Sequence, residues 1–305
     1  MDELIVIRTH YYCEATERFY NYLKTTSNRD VAFVCDESGG NVDIGSGKVK
    51  ISLSEESARD MSLYVPPKFG WLCGDYSLYA ASQLLSGYDR YWLIEGDVRL
   101  SMPSSATFFN SFNGSSADLF AFHTFKANEN WYWHSPMKYF APDVYACLFP
   151  VVGISKRAVE FAYQARVKMS QEFESIVPST EKRRWPNDES FLMTTLIANG
   201  FTKHEFKTEK FSDQTSFNVG LPKSDRRLAE QDPTGLLYHP VQSGKRFVSK
   251  ANTWLHIHAE KKSSKEKLAA LFGPAFLEDL RLESSDQTVT DFVRRLNTVI
   301  EKAPA

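Results

Sequence analysis

The sequence predicts an α/β protein built around a layered, mainly parallel sheet flanked by helices, with a small helical appendage at its C-terminal end. Three observations carry this reading. Short apolar runs at residues 4–7, 31–35 and 91–94 each end in charged residues. Amphipathic helical spacings separate several of these runs. The first hundred residues then read in the order β-α-β-β-α-β, which requires right-handed crossovers.

Taken in order, Leu4-Ile5-Val6-Ile7 is a first strand ending in Arg8-Thr9-His10, and Phe19, Tyr20 and Leu23 mark a helix over about 14–24. Val31 to Cys35 is a second strand ending in Asp36 and Glu37, and Val49 to Leu53 a third. Asp75 begins a helix running to about Leu85, broken by Gly87. Tyr91-Trp92-Leu93-Ile94 then suits a strand buried on both faces. Further on, a short helix is expected over 103–112, strands over 119–122 and 144–154, and helices over 156–173 and 189–198. Residues 128–142 are dense in aromatics but show no period, and from about Lys203 the pattern loosens. Helical patterns return at 265–272 and 289–300. The expected organisation is a main domain over 1–260, in halves of about 1–100 and 101–260, and an appendage over 261–305.

Bulk properties narrow the class. The 305 residues are 42% hydrophobic and 24% charged with a formal net charge of −2, so no global basic field attracts nucleic acid or an anionic membrane. Cys13, Cys35, Cys73 and Cys147 have no CxxC spacing and read as free thiols in a reducing compartment. The N-terminus lacks the features of a secretory leader, and no apolar run reaches membrane-spanning length, so a cytoplasmic protein is expected. No Gly-x-Gly-x-x-Gly follows the first strand, and no P-loop, Gly-x-Ser-x-Gly elbow or kinase set occurs, which disfavours nicotinamide enzymes, NTPases and serine hydrolases.

The run at 91–94 ends in Glu95-Gly96-Asp97. Parallel sheets bind ligands beyond the carboxyl ends of their strands, and two hard oxygen ligands there suit a divalent cation that also holds phosphates. Strand-acid-Gly-acid is also an ordinary turn composition. Asp188 and Glu189 stand at a helix start behind Asn187, where acids are favoured by the helix dipole and are also available as a general base. Gly74-Asp75 opens another helix, a favourable place for phosphate, although Asp75 also reads as a plain cap. His239, extended by the following Pro240, is either a packed histidine or the imidazole completing a cation shell, with Mn²⁺ the better match for nitrogen. His256 and His258 lie two apart without a third ligand nearby, and Lys182-Arg183-Arg184 is a short basic run.

These pieces, over roughly residues 4–240, resemble a glycosyltransferase of the GT-A fold. In that family a Rossmann-like nucleotide-binding half ends in an Asp-x-Asp motif holding a divalent cation and the sugar-nucleotide diphosphate; Glu95-Gly96-Asp97 occupies that place, with Glu for the first Asp. Asp188 and Glu189 look like the acidic motif at a helix start that supplies the base of inverting enzymes. The resemblance implies Glu95, Asp97 and His239 as metal ligands, and Arg8, Asp36, Gly74, Asp75, Glu95 and Asp97 as donor-binding residues. It further implies Mn²⁺ or Mg²⁺ as cofactor, a nucleotide-sugar donor, a glycan or glycolipid acceptor, and at most peripheral membrane association. Trp131 and Trp133 are candidates for a sugar platform or for core. Two rivals stand beside it: a sugar nucleotidyltransferase, whose Gly-rich basic loop after the first strand is missing, and a non-catalytic carbohydrate-binding protein on a degenerate GT-A fold.

Overall fold

The computed structural model describes residues 2–177, 184–213 and 215–304. The chain divides into two compact units, one of Met1–Gly96 with Ser104–Phe211 and the other of Asp97–Pro103 with Ser212–Ala305. No helix among the described residues is long and apolar enough to cross a membrane.

In the first unit, strands β1 (Glu3–Thr9), β2 (Asp30–Asp36), β3 (Val49–Leu53) and β4 (Arg90–Glu95) alternate with helices α1 (Glu14–Thr26), α2 (Glu55–Asp60), α3 (Phe69–Leu72) and α4 (Asp75–Leu84). After β5 (Arg99–Leu100), which belongs to the second unit, come α5 (Ala106–Asn110), β6 (Leu119–Lys126), α6 (His134–Met137), β7 (Tyr145–Ser155), α7 (Lys156–Ile176), α8 (Asp188–Ala198) and β8 (Lys203–Glu205). The seven-stranded sheet has the order β3-β2-β1-β4-β7-β6-β8. Only β7 runs against its neighbours, β4 and β6; the other pairings are parallel. This is the mainly parallel, helix-flanked sheet that the sequence predicts.

The apolar runs become strands because both their faces are covered. Residues Tyr91 to Ile94 of β4 are fully buried. Trp92 lies among Phe108, Phe109, Phe112, Phe120 and Phe206, with ring centroids 5.4–6.4 Å away. Its indole crosses the pleat of β7 where only glycine fits, since a Cβ on Gly153 would stand 2.6 Å from the ring. Its Nε1 donates to Glu3, which also pairs with Arg29 and Arg90, so the polar atoms brought in with the aromatic cluster are satisfied.

Several boundaries differ from the sequence reading. The helix expected over 103–112 is confined to α5, and the strand expected over 119–122 continues to Lys126 through irregular register against β7. The aromatic interval 128–142 contains the single turn α6. The second unit holds β9 (Lys223–Ser224), α9 (Asp225–Glu230), β10 (Leu237–Tyr238), β11 (Val241–Gln242), α10 (Gly244–Glu260), α11 (Lys265–Leu271), α12 (Pro274–Glu283) and α13 (Asp286–Lys302). Residue 261 therefore falls inside this unit. One core joins Phe247, Ala251 and Leu255 of α10 to Leu268, Phe276, Leu280, Phe292 and Leu296. In α10 those three residues recur every four positions among polar neighbours, a narrow stripe that forms a helix only because the following helices cover it.

A buried ion pair clamps α4 to α7. Arg166 and Asp75 are both 0% exposed, with Arg166 Nε and Nη2 at 2.8 and 3.1 Å from the Asp75 oxygens. Tyr79 Oη donates to the same carboxylate at 2.9 Å, and Arg166 Nη1 reaches the Pro186 carbonyl at 3.1 Å. Removing one partner strands the other charge, so Asp75→Ala should lower unfolding free energy by about 3–5 kcal/mol, read by urea titration.

Candidate active site

The carboxyl ends of β1, β2 and β4 bring Arg8, Asp36 and Glu95 to one edge of the first unit. Arg8 bridges: its guanidinium donates to the Glu95 carboxylate and to the Gly70 carbonyl. Burial alone would lower the Arg8 pKa, but Glu95, Asp188 and Asp36 outweigh it and raise it above its ordinary value. Gly70 lies so close to Asp36 that an added Cβ would overlap the carboxylate. Gly96 is required for a similar reason. Its N–H donates to the Arg8 carbonyl at 2.8 Å, and a Cβ would stand 2.9 Å from Thr9 Oγ1. The group that approaches Gly96 is thus the end of β1.

At the start of α8, Asn187 caps the helix by accepting from Ser190 N at 3.1 Å, and Asp188 and Glu189 follow as its first two residues. Asp188 is buried. Its Oδ2 accepts the Gly74 N–H at 2.8 Å and its Oδ1 the Glu189 N–H at 2.7 Å. Gly74 therefore serves Asp188 directly, and a Cβ there would stand 2.5 Å from Oδ2. Burial, with Glu189 alongside, pushes the Asp188 carboxyl well above the usual range. Glu189 is only part-buried, and burial with the nearby Glu95 charge pushes it up to about 7.

In the second unit, residues 97–103 are stitched to 234–242. Arg99 and Leu100 pair with Tyr238 and Leu237, Ser101 exchanges backbone bonds with Gly235 and Leu236, and Val241 N donates to the Asp97 carbonyl at 2.7 Å. That ladder carries His239 past Asp97, with Nε2 3.6 Å from Oδ1. The other ring nitrogen, Nδ1, is 2.6 Å from the Asn218 carbonyl, which only accepts, so Nδ1 bears the proton. Nε2 is then the ring nitrogen that faces a carboxylate and is placed to act as a ligand. Gln242 Nε2 holds the other oxygen, Oδ2, at 2.9 Å. A cation about 2.1 Å from two adjacent ligand atoms sets them about 3.0–3.4 Å apart. The observed spacing is close to this, and one carboxylate with one imidazole is a donor set that Mn²⁺ accepts. Glu95, at the end of β4 in the first unit, precedes Asp97 in the chain by one glycine.

The remaining expectations fare unevenly. Asp75 is fully buried on Arg166, so its expected contact with a donor is corrected to a structural role behind Gly74. His256 and His258 lie on α10 rather than on a strand; two residues apart on a helix they diverge, to Glu260 and Ser263 respectively. Lys182 and Arg183 lie outside the described residues. Cys13, Cys35, Cys73 and Cys147 are free thiols, as expected. Sequence reasoning missed Gly70, Arg166 and Gln242. Their neighbours in the chain carry no motif, and only a three-dimensional partner distinguishes them.

No protein-family model and no curated protein matches the chain. Among solved structures, the chain is similar to a glycosyltransferase involved in the glycosylation of the major capsid of PBCV-1. The likeness covers 85% of this chain and 99% of that one at 12% identity and a TM-score of 0.38, too little to transfer an activity.

Because the Glu189 pKa rises from 4.5 to about 7 on folding, the folded state favours its protonated form. Its stability contribution is lost as pH rises through that interval. Glu189→Gln should therefore melt progressively higher than the native protein between about pH 4.5 and about pH 7, with a constant difference above, measured by calorimetry.

Proposed function

We propose that the chain is a glycosyltransferase that moves a sugar from a nucleotide-sugar donor to a hydroxyl of a glycan or glycolipid acceptor. The observation that carries this reading is the pairing of Asp97 with His239 Nε2 immediately after the strand-end acid Glu95. A carboxylate–Gly–carboxylate run at a parallel strand end, completed by a distant imidazole, is a donor set for a cation that also binds phosphate oxygens.

Glu95, Asp97 and His239 are the proposed ligands, and Mn²⁺ or Mg²⁺ bound there would neutralise the leaving diphosphate. Gln242 holds one Asp97 oxygen so that the other faces His239. Glu189 is the proposed base. Asp188 is committed to two backbone N–H groups, whereas Glu189 keeps partial access to solvent and a pKa suited to taking a proton near neutrality. In the reaction the acceptor oxygen bonds to the anomeric carbon, the bond from that carbon to the diphosphate breaks, and the acceptor proton passes to Glu189. Attack from the opposite face inverts the centre. Asp36 and Arg8, at the adjoining strand ends, are proposed to contact the nucleotide.

A thermal-shift screen of UDP, GDP and CMP with and without Mn²⁺ tests the donor site. At least one nucleotide should raise the melting temperature only with the metal, and Asp97→Ala should remove that shift without lowering the metal-free melting temperature. No shift with any nucleotide would favour the non-catalytic rival, and pyrophosphate release from a nucleoside triphosphate would favour the nucleotidyltransferase. With an active donor–acceptor pair, Glu189→Gln should reduce turnover at least about 100-fold. The native kcat/KM should rise with pH to a plateau above about 7, since the base must be ionised.

A further inference from the structure

Three exposed or part-exposed rings cluster beside the strand-end edge of the first unit, among them Trp133, one of the two tryptophans that the sequence offers for a sugar platform or for core. Trp71 is 65% exposed and Tyr132 61%. Trp133 joins them, its ring centroid 5.5 Å from that of Trp71 and 4.6 Å from that of Tyr132. Arg184 lies over the Tyr132 ring at 4.7 Å. Large aromatic surface left in water is costly unless something covers it in use.

The segment bearing Trp71 is fastened at both ends to the charged cluster. On one side Gly70 touches Asp36 and accepts from Arg8; on the other the Gly74 N–H donates to Asp188. Trp71 thus stands on the short helix α3, held at both ends, at the lip of the edge that holds Glu189. Arg8 pairs with Glu95 at that edge, burial pushes Asp188 toward its protonated form and Arg184 lies over Tyr132, so polar groups of both signs stand beside the rings without a strong field of either, which suits an uncharged ligand. The other large apolar side chains exposed among the described residues, Val49, Leu84, Phe161, Ile176 and Val219, are not part of the ring contacts, so the patch offers aromatic faces without an aliphatic wedge.

We infer that Trp71, Tyr132 and Trp133 form a binding platform for an uncharged pyranose of the acceptor glycan. The C–H face of a sugar ring packs on indole and phenol faces, while its hydroxyls need acceptors such as the neighbouring carboxylates. The tilts of 57° between Trp71 and Trp133 and 79° between Tyr132 and Trp133 give the rings different facings, which fits successive sugar units rather than one flat base. This inference rests on the glycosyltransferase reading for the word acceptor, but the binding it asserts needs no donor.

The full chain, free of nucleotide, is applied to an array of neutral oligosaccharides, and its best glycan is titrated by tryptophan fluorescence. Native protein should bind at least one glycan. Trp71→Ala and Trp133→Ala should each weaken it at least about tenfold, with Trp71→Phe near native. Trp71 is exposed, so an unchanged melting temperature is expected. Retained binding in both alanine variants, or no glycan bound by native protein, overturns the inference. So does a loss confined to the UDP–Mn²⁺ thermal shift, which would assign the rings to the nucleobase. Partition of native protein, but not Trp71→Ala, onto phosphatidylglycerol vesicles without glycan binding would overturn it in favour of a membrane surface. Absence of any nucleotide shift alongside intact glycan binding would sink the transferase reading and leave this site standing.

Discussion

The contact on which the candidate site depends is the packing of the end of β4 against the end of β1. Gly96 donates its N–H to the Arg8 carbonyl, and Thr9 fills the space where a side chain would be. That close approach places Glu95 against the Arg8 guanidinium. A larger residue at 96 would separate two parallel strands at the edge of the candidate site. The glycine is therefore a demand of the sheet before it is a demand of any ligand.

The carboxylates near this edge divide by how they are compensated. Asp75 has a buried guanidinium and a phenol, and this arrangement locks two helices together. Asp188, in a buried setting, accepts from the backbone N–H groups of Gly74 and Glu189, and Glu189 is pushed up to about 7. Under-compensated acids cost stability, and they persist where a proton has to move. The same backbone segment serves both classes, since Gly74 immediately precedes Asp75 and itself binds Asp188. Satisfying Asp75 behind the loop thus positions Asp188 in front of it.

In the second unit, the position of His239 follows from strand pairing rather than from its own surroundings. Residues 99–100 and 237–238 form a short ladder, and the backbone bond from Val241 to Asp97 closes it on the far side. His239 has one place to go between these bonds. The Asn218 carbonyl then decides which ring nitrogen keeps its proton, and Gln242 decides which Asp97 oxygen faces the ring. Three weak local preferences become one defined arrangement because the ladder removes the alternatives.

The sequence alone was enough to locate the strands β1 to β4, the helices at 14–26, 75–84, 156–176 and 188–198, and the acids at the end of β4 and at the start of α8. Each of those signals is local: an apolar run between charges, a helical spacing, a cap followed by acids. It was also enough to raise His239 as a candidate, because a proline after a histidine restricts its backbone. What it left open depended on partners distant in the chain. Asp75 read equally well as a cap or a phosphate-side acid until Arg166, 91 residues away, was seen to bury it. α10 carried too narrow an apolar stripe to stand out without the helices that cover it. Gly70, Gln242 and the ring contact between Trp71 and Trp133 have no local signature. The tertiary structure decided them, because a hydrogen bond or a steric exclusion between remote segments leaves no periodic trace in either segment.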